Sequence, residues 1–155
     1  LATALNDGDA TVRLAAAKGL RTLGTAASQS TPNLIAVLDD DASDVATEAR
    51  AALVAVGVDT IPGLLRVVAI GSGQARHHAT VALIALGQPS LPGLITTLAA
   101  TSVQARKASI AAIATILEDT EAPDSLAPAL VPLLTDKDPE VAEAARRLSA
   151  RLDAE

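Results

Sequence analysis

The 155-residue chain contains no Cys, Met, Phe, Tyr or Trp. Each absence removes a class of chemistry. Without cysteine there is no disulfide, no thiolate nucleophile and no thiolate metal site, and the composition is silent on redox compartment. Without aromatic rings there is no platform for base stacking, no cage for a quaternary ammonium group and no stacked sugar site. Charge is scarce as well, at 19% of residues, and unevenly spread. Residues 1–50 hold eleven charged side chains and residues 106–155 hold sixteen, while the 55 between hold only Asp59, Arg66 and Arg76. The formal net charge of −6 repels nucleic acid unless basic groups gather on one face.

A long uninterrupted hydrophobic run is also missing. Residues 77–105 contain no Asp, Glu, Lys or Arg, yet Gly87, Gln88, Pro89, Ser90, Leu91, Pro92 and Gly93 break the stretch at its centre. A bilayer span needs about 20 continuous apolar helical residues, so no membrane span is expected. Leu1 to Gly8 has neither the basic opening nor the apolar run of a signal peptide. The chain opens on Leu1 rather than Met, as a fragment truncated at its N-terminus would, and a soluble protein, cytoplasmic by preference, is expected.

What is present is apolar and repetitive. Half of the residues are hydrophobic, and the length suffices for one domain with a sizeable core. VGVDTIPGLL at 56–65 returns as LGQPSLPGLI at 86–95, so that Pro62 recurs as Pro92 thirty residues on. Pro32 fits thirty residues earlier and Pro128 thirty-six later. Val45, Ala75, Ala105 and Val141 each follow one of these prolines by thirteen residues, and Val12 opens the same pattern one unit earlier. A period in this range marks stacked structural modules.

Each module reads as two helices. The proline suits the first helical position, where its missing amide would lack a partner anyway. Apolar residues follow at three- and four-residue steps: Leu34, Ile35, Leu38; Leu64, Leu65, Val68; Leu94, Ile95, Leu98; Leu130, Val131, Leu134. A polar turn precedes a longer second helix with buried-type residues at relative positions 0, 4, 7, 8 and 11, such as Val12, Ala16, Gly19, Leu20 and Leu23. Gly24, Gly57 and Gly87 then stop the helix in a left-handed closing conformation. One such hairpin cannot bury its stripe alone, so about five stack, at residues 1–24, 25–57, 58–87, 88–117 and 118–155. Ala and Gly at the contacts allow close approach and a core without aromatics. The first unit begins inside its first helix, leaving an apolar end open to further repeats, a partner or self-association. The last helix, EVAEAARRLSARLDAE, is charged on most faces, as a terminal cap should be.

The units resemble HEAT repeats of the bacterial type named after the phycobilisome lyases, most closely at DGDATVRLAAAKGLRTLG (residues 7–24). Repeats three and four depart from that pattern by lacking the turn Asp, and the fifth has Leu148 and Ser149 where Ala and Leu are usual. The resemblance implies an all-α, right-handed α–α superhelix whose second helices line a concave face. It implies a scaffold that binds another protein there, without catalysis or cofactor. The alternatives are a lyase-type enzyme, a chaperone subunit or a spacer within a larger protein. Iron-dependent relatives use His-Glu pairs, and this sequence has no such dipeptide.

Relative positions 1, 2, 5 and 9 of the second helices then form the candidate surface: Arg13, Arg21, Arg50, Arg76, His77, Thr80, Arg106, Lys107 and Ile110. An Arg after the Val often bonds a turn Asp along such a stack, and Arg13 and Arg76 are expected to do so. Arg106 has no acid in its own turn or the preceding one, so its guanidinium either receives a partner's carboxylate or phosphate or is simply solvated. Val54, Val81 and Ile84 fall at nominally exposed positions and suggest a neutral docking patch that could also serve self-association. His77 and His78 point about 100° apart on a helix and cannot share a metal, so one is expected on the surface and the other partly covered. Asp39, Asp40, Asp41 and Asp44 lack the spacing of a calcium loop and read as a solvated turn capping the next helix. Gly71, Ser72 and Gly73 read as a flexible turn rather than a phosphate loop.

Overall fold

A computed structural model describes residues 1–154, and the described residues hold helices and turns without strands. A 3₁₀ turn at Thr3–Asn6 precedes α1 (Ala10–Leu23), α2 (Thr31–Ala36), α3 (Ser43–Val56), α4 (Ile61–Ile70), α5 (Gly73–Leu86), α6 (Leu91–Thr97), α7 (Val103–Ile116), α8 (Leu126–Leu130) and α9 (Pro139–Leu152). The odd-numbered helices are all 14 residues long. They pack in sequence, each on the next, as one layer. The 3₁₀ turn and the short even-numbered helices pack in the same order as a second layer, and each short helix folds back on the long one that follows it. Among the described residues no single helix is long and apolar enough to cross a membrane.

The core lies between the two layers. Leu5, Leu34, Leu64, Leu94 and Leu130 enter from the short elements, and Leu20, Leu53, Leu83, Ile113 and Leu148 enter from the long helices. In α3 every residue at relative positions 0, 4, 7, 8 and 11 is buried: Val45, Ala49, Ala52, Leu53 and Val56. The equivalent stripe of α1 is only partly covered. Ala16 and Leu20 are buried, whereas Val12 is 38% exposed and Leu23 50%. The corresponding residues of α3, Val45 and Val56, are buried, and among the described residues α1 has one long-helix neighbour, α3.

The prolines sit one residue later than the sequence reading placed them. Pro32, Pro62 and Pro92 are the second residues of α2, α4 and α6, still within the turn whose amides lack helical partners. The glycine after the proline also has a packing role. A Cβ at Gly63 would collide with Ile35 Cδ1, and one at Gly93 with Leu65 Cδ1, so the apolar side chain of one short helix seats on the bare backbone of the next.

Gly24, Gly57 and Gly87 close α1, α3 and α5 with φ of +56°, +97° and +70°. Their ψ values of −129°, −153° and −141° correct the expected left-handed helical closure. This is mirror-image extended backbone, which side chains resist more strongly, and it throws the chain sideways into the next short helix.

Side-chain caps start four of the long helices: Asp9 accepts from Thr11 N, Ser72 from Ala75 N, Ser102 from Ala105 N and Asp138 from Glu140 N and Val141 N. Helix α3 is the exception. Its N-cap is Ala42, which offers no side-chain acceptor, and of the Asp39–Asp44 run only Asp44 reaches a first-turn amide, accepting from Val45 N at 2.9 Å.

Candidate protein-binding face

The turns preceding the long helices line one edge of the stack, and two arginines lock that edge. Arg13 Nε lies 2.6 Å from Asp40 Oδ2, and its Nη2 donates to Oδ1 at 2.8 Å. Its Nη1 donates to the carbonyls of Asp7 and Gly8. Arg106 repeats the arrangement: Nε is 2.8 Å from Asp136 Oδ2, Nη2 donates to Oδ1 at 2.9 Å, and Nη1 donates to the carbonyls of Ala100 and Thr101. Each carboxylate also accepts an amide of its own turn, from Ala42 and Asp138 respectively. The paired guanidinium and then burial act in opposite directions on Asp40, with the guanidinium prevailing, so its carboxyl is held below its ordinary pKa. Asp136 is lowered by Arg106 in the same way, with help from the Asp138 amide.

The expectation of an available Arg106 is thereby corrected. Its partner stands in the following turn, and the rung runs forward along the stack, not back to its own turn or the preceding one. Arg76 is corrected in the opposite sense. It occupies the same helical position as Arg13 and Arg106, but the following turn offers Ala100 where Asp40 and Asp136 stand. Its Nε donates to Val68 O at 2.9 Å and its Nη2 to Gly71 O at 2.7 Å. Among the described residues no acid pairs with it. The rung is also missing between the second and third turns, where Ala46 replaces the Arg and Ile70, 78% exposed, replaces the Asp. Ser72 and Gln74 bridge that gap instead, donating to Asp39 Oδ1 at 2.6 Å and Asp40 O at 2.8 Å.

The remaining candidates lie along the seams between long helices. Arg21 pairs with Glu48 at 2.5 Å. Arg50 is half-buried without an acid partner among the described residues, and it lines a groove of ≈ 450 Å³ with Arg21, Val54 and Val81. Val54, Val81 and Ile84, expected to be exposed, are half-buried. They sit where neighbouring long helices meet, so only part of each side chain reaches solvent. Ile110, also placed on the surface by its position, is buried. Lys107 is tied across to the next hairpin, 2.5 Å from Glu140 Oε2 and 3.3 Å from Asp138 Oδ1, and these hydrogen bonds raise its pKa.

His77 is exposed, and His78 is 9% exposed with Nδ1 lacking a hydrogen-bond partner. Burial, then Arg50 and His77, push the His78 pKa down. Arg76, His77, Gln104 and Lys107 line a groove of ≈ 370 Å³ between α5 and α7. A larger groove of ≈ 720 Å³ follows between α7 and α9, with a floor that includes Ile110, Ala111, Ala114 and Ala144. Among the described residues no three His, Cys, Asp or Glu side chains converge where a metal could be held.

A chain from a structural study of tubulin recruitment and assembly by microtubule polymerases with tumor overexpressed gene (TOG) domain arrays matches 96% of this chain with a TM-score of 0.66 at 16% identity. The fold is a HEAT-like α-solenoid. The solenoid spans 38% of the length of that TOG-array chain. An engineered protein matches 97% of this chain and 77% of its own at 21% identity, with a TM-score of 0.48 that is too low to bear on the assignment. No family model and no curated protein matches the solenoid.

Two features of the face escaped the sequence reading. The forward direction of the rungs was encoded by an Asp five residues before Val45 and Val141, answered one hairpin earlier by Arg13 and Arg106. The Lys107 pairs had a weaker signal, acids at 138 and 140 in the next turn, and only the stacking distance brings them within reach.

Proposed function

We propose that the solenoid is a non-catalytic scaffold that binds a protein partner along the face built by α3, α5 and α7. The observation that carries this reading is the pair of arginines on that face, Arg50 and Arg76, that no acid among the described residues neutralises. They stand beside exposed His77 and half-buried Val54, Val81 and Ile84. Interfaces are depleted in charge at their centres but enriched in Arg, and this region has that composition. The TOG-array chain comes from a study of tubulin recruitment, a case of a like fold taking a protein partner. The motif at residues 7–24 favours the phycobilisome-lyase type of HEAT repeat, used here as a scaffold.

The test is affinity capture from source lysate, comparing wild type with Arg50→Glu/Arg76→Glu and with Arg66→Glu, all checked for helicity. Arg66 is exposed on α4, in the other layer. Loss of a partner in the double variant alone supports the reading; equal retention by all three sinks it.

A second reading, self-association through the N-terminal end, is favoured by one observation: Leu1, Val12 and Leu23 are all exposed there.

A further inference from the structure

Arg13 and Arg106 establish what an arginine does at this helical position when the next turn offers an acid: Nε and Nη2 stand against the two oxygens of one carboxylate, both as hydrogen bonds in Arg13 and as one hydrogen bond beside a 2.8 Å ion contact in Arg106. Arg76 has the same position and the same side chain, but Ala100 stands where the acid should be. Its guanidinium folds back onto the carbonyls of Val68 and Gly71, and Nη1 has no hydrogen-bond partner among the described residues. Carbonyl dipoles satisfy two of its donors and leave the unit charge uncancelled. The side chain is half-buried, so the charge is screened less than one in open water.

The surroundings add donors and no competing acid. The groove that Arg76 enters is also lined by His77, Gln104 and Lys107, and among the described residues no carboxylate lines it. Lys107 is already held by Glu140 and Asp138, which leaves Arg76 as the uncompensated charge of the site. No acid occurs anywhere in residues 60–117.

We propose that Arg76 receives the carboxylate of an acidic segment of a protein partner, which supplies from outside the rung that the chain omits between its third and fourth turns. This rests on the scaffold reading above and names the chemistry of its partner. A carboxylate suits the site better than a generic anion because the two complete rungs show this arginine position fitting a planar two-oxygen acceptor. On binding, the carboxylate takes the Nε/Nη2 edge, as in the two complete rungs, and displaces the carbonyls of Val68 and Gly71 from it.

Ala100→Asp is the discriminating variant, because it leaves Arg76 in place and supplies the acid internally. The probe is a fluorescein-labelled glutamate-rich peptide, followed by anisotropy at low ionic strength, where screening is weak. Ala100→Asp is expected to raise the melting temperature and weaken peptide binding roughly tenfold. Thr96→Asp, which adds the same charge at an exposed site in the other layer, is expected to bind like wild type. Arg76→Ala is expected to lose the peptide, and Arg76→Lys to retain part of the affinity. Equal weakening by Ala100→Asp and Thr96→Asp overturns the proposal, as do peptide binding unchanged in Arg76→Ala and no binding by wild type. Binding of inorganic phosphate without binding of the peptide overturns the carboxylate assignment. Capture of the same lysate partner by wild type and Ala100→Asp overturns the role of Arg76 while leaving the scaffold standing, whereas absence of any partner on wild type removes the scaffold reading itself.

Discussion

Arg106 on α7 holds both oxygens of Asp136, thirty residues further along the chain, with its side chain 13% exposed and that of Asp136 9%. A rung so well covered and two-pronged belongs to the load path of the stack rather than to its solvated surface. Asp136→Ala is expected to lower the melting temperature by several degrees, because it leaves a covered guanidinium without its counter-charge. Arg106→Ala/Asp136→Ala should recover part of that loss. A thermal melt of the three variants by circular dichroism checks this, and a double variant worse than the sum of the singles would contradict it.

Asp40 and Asp136 both have carboxyls held below the ordinary range by their arginines. The folded state therefore binds fewer protons than the unfolded chain as pH falls past the usual carboxylate pKa of about 4. Their stabilisation is present above that pH and is lost as pH falls through the lowered values. Urea midpoints measured from neutral pH down to pH 3 should drop in wild type and drop less in Asp40→Asn/Asp136→Asn.

His78 gives a second, milder dependence. Burial with Arg50 and His77 nearby depresses its pKa, so the fold favours the neutral ring while the unfolded chain protonates near pH 6.5. Stability from this group is present above about pH 6.5 and lost as pH falls through the lowered folded value. The urea midpoint of wild type should decline between about pH 7 and 5.5, and His78→Gln should flatten that decline. An identical slope in the variant would assign the dependence elsewhere.

Gly57 and Gly73 separate conformational strain from crowding. Neither has an atom within 4 Å of the site a Cβ would occupy, but Gly57 has φ of +97° and Gly73 begins α5 with ordinary backbone. Gly57→Ala should cost about 1–3 kcal/mol. Gly73→Ala should be neutral or stabilising by up to about 1 kcal/mol, since the unfolded chain loses freedom. Chemical denaturation of both variants gives the comparison directly.

Val12 and Leu23 are exposed at the positions where α3 buries Val45 and Val56. If the N-terminal end self-associates, sedimentation equilibrium of wild type should show oligomers that Val12→Lys/Leu23→Lys abolishes without loss of helicity. A wild type that stays monomeric up to high concentration ends that reading.

The paired helices and the two-layer stack were legible from short-range spacing. Leu34, Leu64 and Leu94 follow their prolines at a fixed step, and such a pattern leaves each helix one face to bury. Gly24, Gly57 and Gly87 marked the helix ends correctly, although their ψ values belong to a sideways exit that only the next short helix imposes. The charged groups were less legible. Arg76 and Arg106 exchanged roles between sequence and structure because an arginine's partner depends on which turn lies beside it in space, and a side chain can reach forward as easily as back.

The sequence by itself determined the helices, their stops and their apolar stripes, since those follow from backbone preferences and periodicity within about fifteen residues. Only the stacking decided which charges are consumed and which stay available. Asp40 lies 27 residues from Arg13, and Asp136 lies 30 from Arg106. Electrostatic pairing falls off with distance in space and is indifferent to distance along the chain. The uncompensated arginine of the third hairpin therefore became visible only when Ala100 took its place in the next turn.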